Sequence, residues 1–205
     1  MIQGSEEWKL ARCGSVGASS IADLMARTKT GYGSSRANLM ARLIAERMTG
    51  QPQESYTNEA MRWGVDCEPM ARAAYAFMAN VDVTEIGLVR HPTIDGAHAS
   101  PDGMIGDDGL VELKAPNTAT HIETLLSGEV ADRYVKQMQF QMACTGRSYC
   151  DFCSYDPRMP GDLQLFIRRI HRDDAAITEI NDAVKLFILE MKAKINRLQT
   201  LRSAA

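Results

Sequence analysis

The sequence has no surplus of positive charge: 26 aspartates and glutamates outnumber 23 lysines and arginines, for a formal net charge of -3. A basic blanket of the kind that advertises a polyanion or membrane partner is therefore excluded, and any grip on a polyanion must be local. No apolar run approaches the roughly 18 residues of a membrane span. The first ten residues, MIQGSEEWKL, carry acids where a signal peptide carries bases and an apolar stretch, which points to the cytoplasm. Cysteines are few and odd in number, at 13, 67, 144, 150 and 153, so a disulfide scaffold is excluded and free thiols are expected. Internal repeats, low-complexity segments and linkers are also missing. What is present, 205 residues of which 45% are hydrophobic and 24% charged, fits one globular domain spanning 1–205 with one substantial core.

Hydrophobic spacing predicts a short helix through Ile21, Leu24 and Met25, capped by Ser15 or Ser19, and then a polar, basic loop at 28–35. Leu39, Leu43, Ile44 and Met48 predict a helix from Ser35 to a stop at Gly50. Residues 58–79 predict another, kinked or restarted at Pro69 beside Glu68. β-Branched residues and turn clusters predict three strands, within 83–92, 97–106 and 109–116. Helices near 117–127 and 132–145, strands at 148–155 and 163–171, and an amphipathic helix with a basic outer face at about 173–201 complete the pattern. The fold class is α/β or α+β, a central mixed β-sheet flanked by helices.

The chemistry concentrates in Asp102 of SPDG and in Glu112 and Lys114 of VELK. Strand side chains alternate, so Glu112 and Lys114 project to one face while Val111 and Leu113 project to the other. A three-residue loop, Asp107-Asp108-Gly109 with Gly109 left-handed, would pair Met104 with Glu112 and Asp102 with Lys114, placing both acids and the lysine together. Mg2+ takes such hard oxygen ligands, one or two carboxylates with waters and substrate phosphate. A lysine beside it can position or deprotonate the attacking water, or neutralise charge on the phosphorane. The reaction so predicted is phosphodiester hydrolysis. A turn signal followed by a solvated antiparallel strand is the competing reading, and these residues alone leave it open.

SPDG followed by ELK, with Glu68 upstream in a helix and Gln137 downstream, resembles the PD-(D/E)XK nuclease superfamily. LARCGSVGASS at 10–20, WGVDCEPMAR at 63–72, ELKAP at 112–116, Gln137 with Gln139, and YDPRM at 155–159 resemble the lambda-type alkaline exonuclease family, related to the YqaJ-like viral recombinases. Order and spacing agree from about residue 6 to 172, leaving the C-terminal helix without a motif. The resemblance implies a processive 5′ to 3′ exonuclease on double-stranded DNA ends that releases 5′-mononucleotides and leaves a 3′ strand for annealing-type recombination. It further implies Mg2+ as cofactor with Mn2+ as a substitute, a ring-shaped homotrimer, a single-strand annealing protein as partner, and a bacterial or phage-infected cell. Asp102, Glu112 and the Leu113 carbonyl match ligands of one metal, and Glu68 with Asp102 those of a second. Lys114 matches the catalytic lysine, Gln137 a glutamine that holds the reacting water or phosphate, and Arg12, Ser19 and Ser100 the binders of the 5′-terminal phosphate. One departure is Gly17, where a member of the family carries a hydroxyl residue in this phosphate-binding stretch. A structure- or site-specific endonuclease of the same fold, or a non-catalytic DNA-end binding module, are the alternatives.

Around Arg12, guanidinium and backbone N–H groups could converge on an anion. Lys29, Tyr32 and Arg36 could touch DNA through phosphate contacts and stacking. Cys150 and Cys153 form a C-x-x-C pair without a second pair, and buried structural thiols are expected there. His91, His98, His121 and His171 are scattered and receive no catalytic role. The helices at 35–49 and at the C terminus are the candidate surfaces for assembly.

Overall fold

The computed structural model describes residues 1–29, 31–53 and 59–203; Thr30 of the expected loop and Asn58 of the expected helix lie outside them. In chain order, α1 (Glu6–Arg12) is followed by β1 (Val16–Gly17), a 3-10 turn at Ala18–Ser20, and α2 (Ile21–Met25). A hairpin of β2 (Arg27–Thr28) and β3 (Gly31–Tyr32) leads to α3 (Ser34–Thr49) and α4 (Glu59–Ala79). Five short strands follow, β4 (Val83–Thr84), β5 (Val89–Arg90), β6 (Ala97–Ala99), β7 (Gly103–Ile105) and β8 (Gly109–Lys114). The chain ends with α5 (Thr118–Ser127), α6 (Asp132–Thr145), β9 (Tyr149–Tyr155), β10 (Leu165–His171) and α7 (Asp174–Ser203).

The strands form a five-stranded sheet in the order β10-β9-β8-β7-β4 and a small sheet in the order β1-β6-β5. All neighbours in the large sheet are antiparallel except β8 and β9, which run parallel and are joined through α5 and α6, as a parallel pair requires a long crossover. Sheet and helices alternate as the mixed pattern predicts. One face of the large sheet packs Val111, Leu113, Cys153 and Tyr155 against Ala71 and Tyr75 of α4. The other packs Leu110, Cys150 and Phe152 against α6 and, beyond it, the apolar faces of α2, α3 and α7. Cys150 and Cys153 thus face opposite cores, and all five cysteines are free thiols.

Four local expectations change. The helix at 21–25 has Ser20 at its cap position, without a side-chain cap bond, because the chain enters through the 3-10 turn. Pro69 lies inside one continuous α4 rather than restarting it. Part of the 28–35 loop is paired as the β2–β3 hairpin. The three strands expected between 83 and 116 are five, because each of the first two runs is shared between sheets: β4 and β7 join the large one, β5 and β6 the small one. No helix among the described residues is long and apolar enough to cross a membrane.

Candidate active site

β8 is a central strand, and Gly109 through Leu113 are all buried. That overturns the solvated-strand reading of VELK. Its register with β7 pairs Ile105 with Gly109, Met104 with Leu110 and Gly103 with Val111. The loop is three residues long but begins at Gly106, which takes the left-handed conformation (φ +47°) expected of Gly109. Pairing therefore slips by two from the expected sum, so Asp102 comes next to Glu112 rather than Lys114. Face parity survives an even slip, and both acids and the lysine still share one side.

Asp102 sits where the chain passes from β6 to β7, just past the last ladder pair, and its Oδ2 accepts the Leu113 backbone N–H at 2.7 Å. Glu112 is only 1% exposed. Gln137 Nε2 donates to its Oε1 and Gln141 Nε2 to its Oε2, each at 2.6 Å, and Lys114 Nζ is ion-paired with Oε1. Buried carboxylates need such partners. Burial first, and then the charge of Glu112, push the Asp102 carboxyl well above the usual carboxylate range. Burial alone would lower the Lys114 pKa, but Glu112 and Asp102 outweigh it and raise it, so Lys114 is held as an ammonium. Glu68, on α4, is engaged by Arg72, whose Nη2 lies 2.5 Å from its Oε1. It lines the same groove as Asp102 without joining the Glu112 cluster.

A second group converges on Arg12 at the end of α1. Its guanidinium lies 3.9 Å over the Trp8 ring, and its Nε donates to His98 Nε2 at 3.2 Å. Burial and then the nearby Arg42 lower the Arg12 pKa. Arginine nonetheless stays charged in proteins, so a half-buried cation here favours an anionic guest. Trp8 is fixed in turn by its Nε1, which donates to the Gly87 carbonyl at 2.8 Å and to Ser100 Oγ at 3.1 Å. Arg12, Ser19 and Ser100 line one cavity of about 170 Å³ together with Asp102, Glu112, Lys114 and Gln137. A wider groove of about 1060 Å³ opens on the other side of Asp102 and Lys114, walled by Trp63, Arg133, Tyr134 and Arg158.

The residues proposed to touch DNA are less alike. Lys29 and Tyr32 are exposed. Arg36 is turned inward instead, 6% exposed, ion-paired with Glu190 at 2.9 Å and stacked on Tyr32 and Phe187. Gln139 is also occupied elsewhere, bridging the His171 carbonyl and the Asp173 N–H.

Trp8, His98 and Gln141 belong to the site although the sequence reading passed over them. Gln141 lies one helical turn beyond Gln137, and Trp8 one turn before Arg12; that i,i+4 spacing was the available signal. His98 had none, since only the pairing of β1 with β6 brings it to Arg12.

The donor set fits a hard divalent cation. Two adjacent carboxylates, Glu112 buried and Asp102 half-buried, beside a backbone carbonyl, match the few protein oxygens Mg2+ takes. Among the described residues no group of three or more His, Cys, Asp or Glu is arranged to hold a metal, so water and substrate oxygens would complete the shell.

Comparison with known proteins identifies the family and the fold. Residues 7–148 match the model of the YqaJ-like viral recombinase domain. An alkaline exonuclease from Laribacter hongkongensis is 50% identical over 98% of this chain and 99% of its own, with a TM-score of 0.91, and the same enzyme has been solved in complex with dAMP. A phage-related exonuclease from Haemophilus somnus 129PT shares the fold at 12% identity, covering 90% of this chain and 96% of its own, with a TM-score of 0.71. No curated protein sequence matches the chain.

Proposed function

Since this chain belongs to the YqaJ-like viral recombinase family, we propose that it is a Mg2+-dependent, processive exonuclease that digests one strand of duplex DNA from a 5′-phosphorylated end, 5′ to 3′. The observation that carries this is the single cavity joining the Arg12 cation to the Asp102–Glu112–Lys114 cluster. A terminal phosphate on Arg12, Ser19 and Ser100 would leave the next phosphodiester beside the acids. The duplex would lie in the wide groove beyond. Asp102, Glu112 and the Leu113 carbonyl would hold Mg2+, with Glu68 and Asp102 serving a second ion, and such an ion polarises the phosphate and acidifies bound water.

The chain's own residues divide the remaining work. Gln137 and Gln141 hold both oxygens of Glu112 in place. Lys114, kept as an ammonium, stands where charge develops on the phosphorane, and a cation preorganised at that point stabilises it. Arg12 offers a charge-assisted contact to the end. The 3′ strand left behind would pass to a single-strand annealing protein.

A ring of three chains would supply processivity that a net charge of -3 does not. Cyclic contacts need two different patches per subunit. Exposed Val65, Phe77 and Met78 on α4, and Leu186 and Leu189 on α7, offer apolar groups on opposite sides of the large sheet, which favours α4 over α3 as the second surface.

The test is digestion of 5′-phosphorylated linear duplex and of covalently closed duplex, with and without Mg2+. Mononucleotides released from the linear substrate alone, with Mg2+, are expected. Cutting of closed circles would establish an endonuclease, and no release at all would leave an end-binding module.

A further inference from the structure

Gly17 and His98 are partners in the parallel pairing of β1 with β6. A Cβ built on Gly17 would lie 3.1 Å from His98 Nε2, 3.3 Å from its Cε1 and 3.7 Å from Arg12 Nη2. The imidazole therefore occupies the space into which a side chain at 17 would grow. It is 2% exposed and bonded at both nitrogens, Nδ1 to Ser15 Oγ at 2.9 Å and Nε2 to Arg12 Nε at 3.2 Å. Arg12 Nε has only a proton to offer, so His98 Nε2 must accept, and Nδ1 must carry the hydrogen it donates to Ser15. Burial, then Arg12 and Arg90, lower the His98 pKa to about 3, in keeping with that neutral tautomer.

We propose that His98 is a positioning residue for recognition of the DNA end: its Nε2 lone pair holds Arg12 by Nε and leaves the two terminal nitrogens of the guanidinium for the phosphate, and Gly17 is glycine because the ring fills its side-chain space. This rests on the reading of the Arg12 cavity as the end-phosphate site. The Trp8 ring fixes the plane of the guanidinium from beneath, and His98 fixes its rotation within that plane. Ser15 anchors the ring from the loop before β1, so aim is transmitted through one short hydrogen-bonded chain. The space that a side chain at position 17 would take is thus filled by a ring reaching across from the neighbouring strand.

The measurement is the ratio of digestion rates on 5′-phosphorylated and 5′-hydroxyl linear duplex. It is internal to each preparation, so a partial loss of folded protein cancels. His98→Ala is expected to lower the ratio about tenfold through a higher KM on phosphorylated ends, the scale of one hydrogen bond to a charged group. His98→Gln, whose amide oxygen can accept from Arg12, should recover most of it. Gly17→Thr alone should lower the ratio by crowding the ring, whereas Gly17→Thr with His98→Ala should recover, because the hydroxyl takes the vacated space. Such non-additivity is the signature of two groups sharing one space. A wild-type ratio in His98→Ala, a Gln variant no better than Ala, or effects of the two substitutions that simply multiply would each overturn the inference. Arg12→Ala separates it from its premise. If wild type shows no preference, or Arg12→Ala leaves the preference intact, the end-phosphate reading fails and His98 falls with it; if Arg12→Ala abolishes the preference and His98→Ala does not, only His98 is misassigned.

Discussion

Arg72 holds Glu68 across one turn of α4, and the same guanidinium donates from Nε to the Asp102 backbone carbonyl at 3.4 Å. One cation therefore tethers both acids assigned to the second metal. Glu68→Gln should raise the Mg2+ concentration for half-maximal rate by about tenfold or more, the usual scale for loss of a group supporting a metal, while leaving measurable activity at saturation. A metal titration of the rate checks it, and an unchanged midpoint would remove Glu68 from the metal set.

Lys114→Ala should slow turnover by about 100-fold or more, since a charge-stabilising or acid–base group contributes two to four decades. DNA binding should survive, as read by fluorescence anisotropy. Asp102→Asn should fold, because the amide oxygen can still accept from the Leu113 N–H, but lose Mg2+-dependent activity, a neutral amide being a poor ligand for a hard cation. Near-normal rates in both variants would refute the assignment.

Gln141→Leu should cost about 1.5–3 kcal/mol of stability, the range for a hydrogen bond to a charged group, because it strips the side-chain donor that Glu112 Oε2 has among the described residues. Denaturant unfolding of variant and wild type gives the difference. An indifferent Gln141 would mean that water reaches Glu112.

Asp102 has its pKa raised in the folded, metal-free protein. A raised folded pKa contributes stability below the unfolded value, about 3.9, and loses it as pH climbs through the folded one. Mg2+ needs the ionised form. The rise in Tm produced by Mg2+ should therefore grow from pH 5 to pH 8, and a larger rise at pH 5 would contradict the pairing of Asp102 with the ion.

Asp156, in YDPRM, shows the opposite sign. Burial pushes its carboxyl up, but hydrogen bonds from Arg158 and Thr118 outweigh burial and hold it down at about 2. Its contribution is present above the ordinary value of 3.8 and fades as pH falls through about 2. Wild type should be more stable than Asp156→Asn at pH 6, with the gap closing by pH 2 in urea titrations. A gap independent of pH would assign the effect to packing.

The two acids and the lysine were legible because alternation on a strand is a local property, insensitive to an even slip of register. The loop position was not, since GDDG offers two glycines and only the strand ladder decides which turns left-handed. The break of the 97–106 run into β6 and β7 was equally hidden. Each half is short, and its membership in a sheet depends on β1 and β4, far away in sequence. Gln141 reads as one more residue of an amphipathic helix until the helix is laid over Glu112. Arg36 reads as a loop-edge cation until Glu190, 154 residues on, meets it.

Between Ser100, beside Arg12, and Asp102, beside Glu112, stands only Pro101. Its ring fixes φ near -65°, and its carbonyl is clamped by Gln3 Nε2 at 3.0 Å. The separation of the two halves of the site is consequently held by a short covalent link with one torsion fixed, together with a single tertiary hydrogen bond. Any change in that gauge has to come from the torsions that the pyrrolidine ring leaves free, and Gln3 restrains the first of them, ψ of Pro101, through the carbonyl it holds.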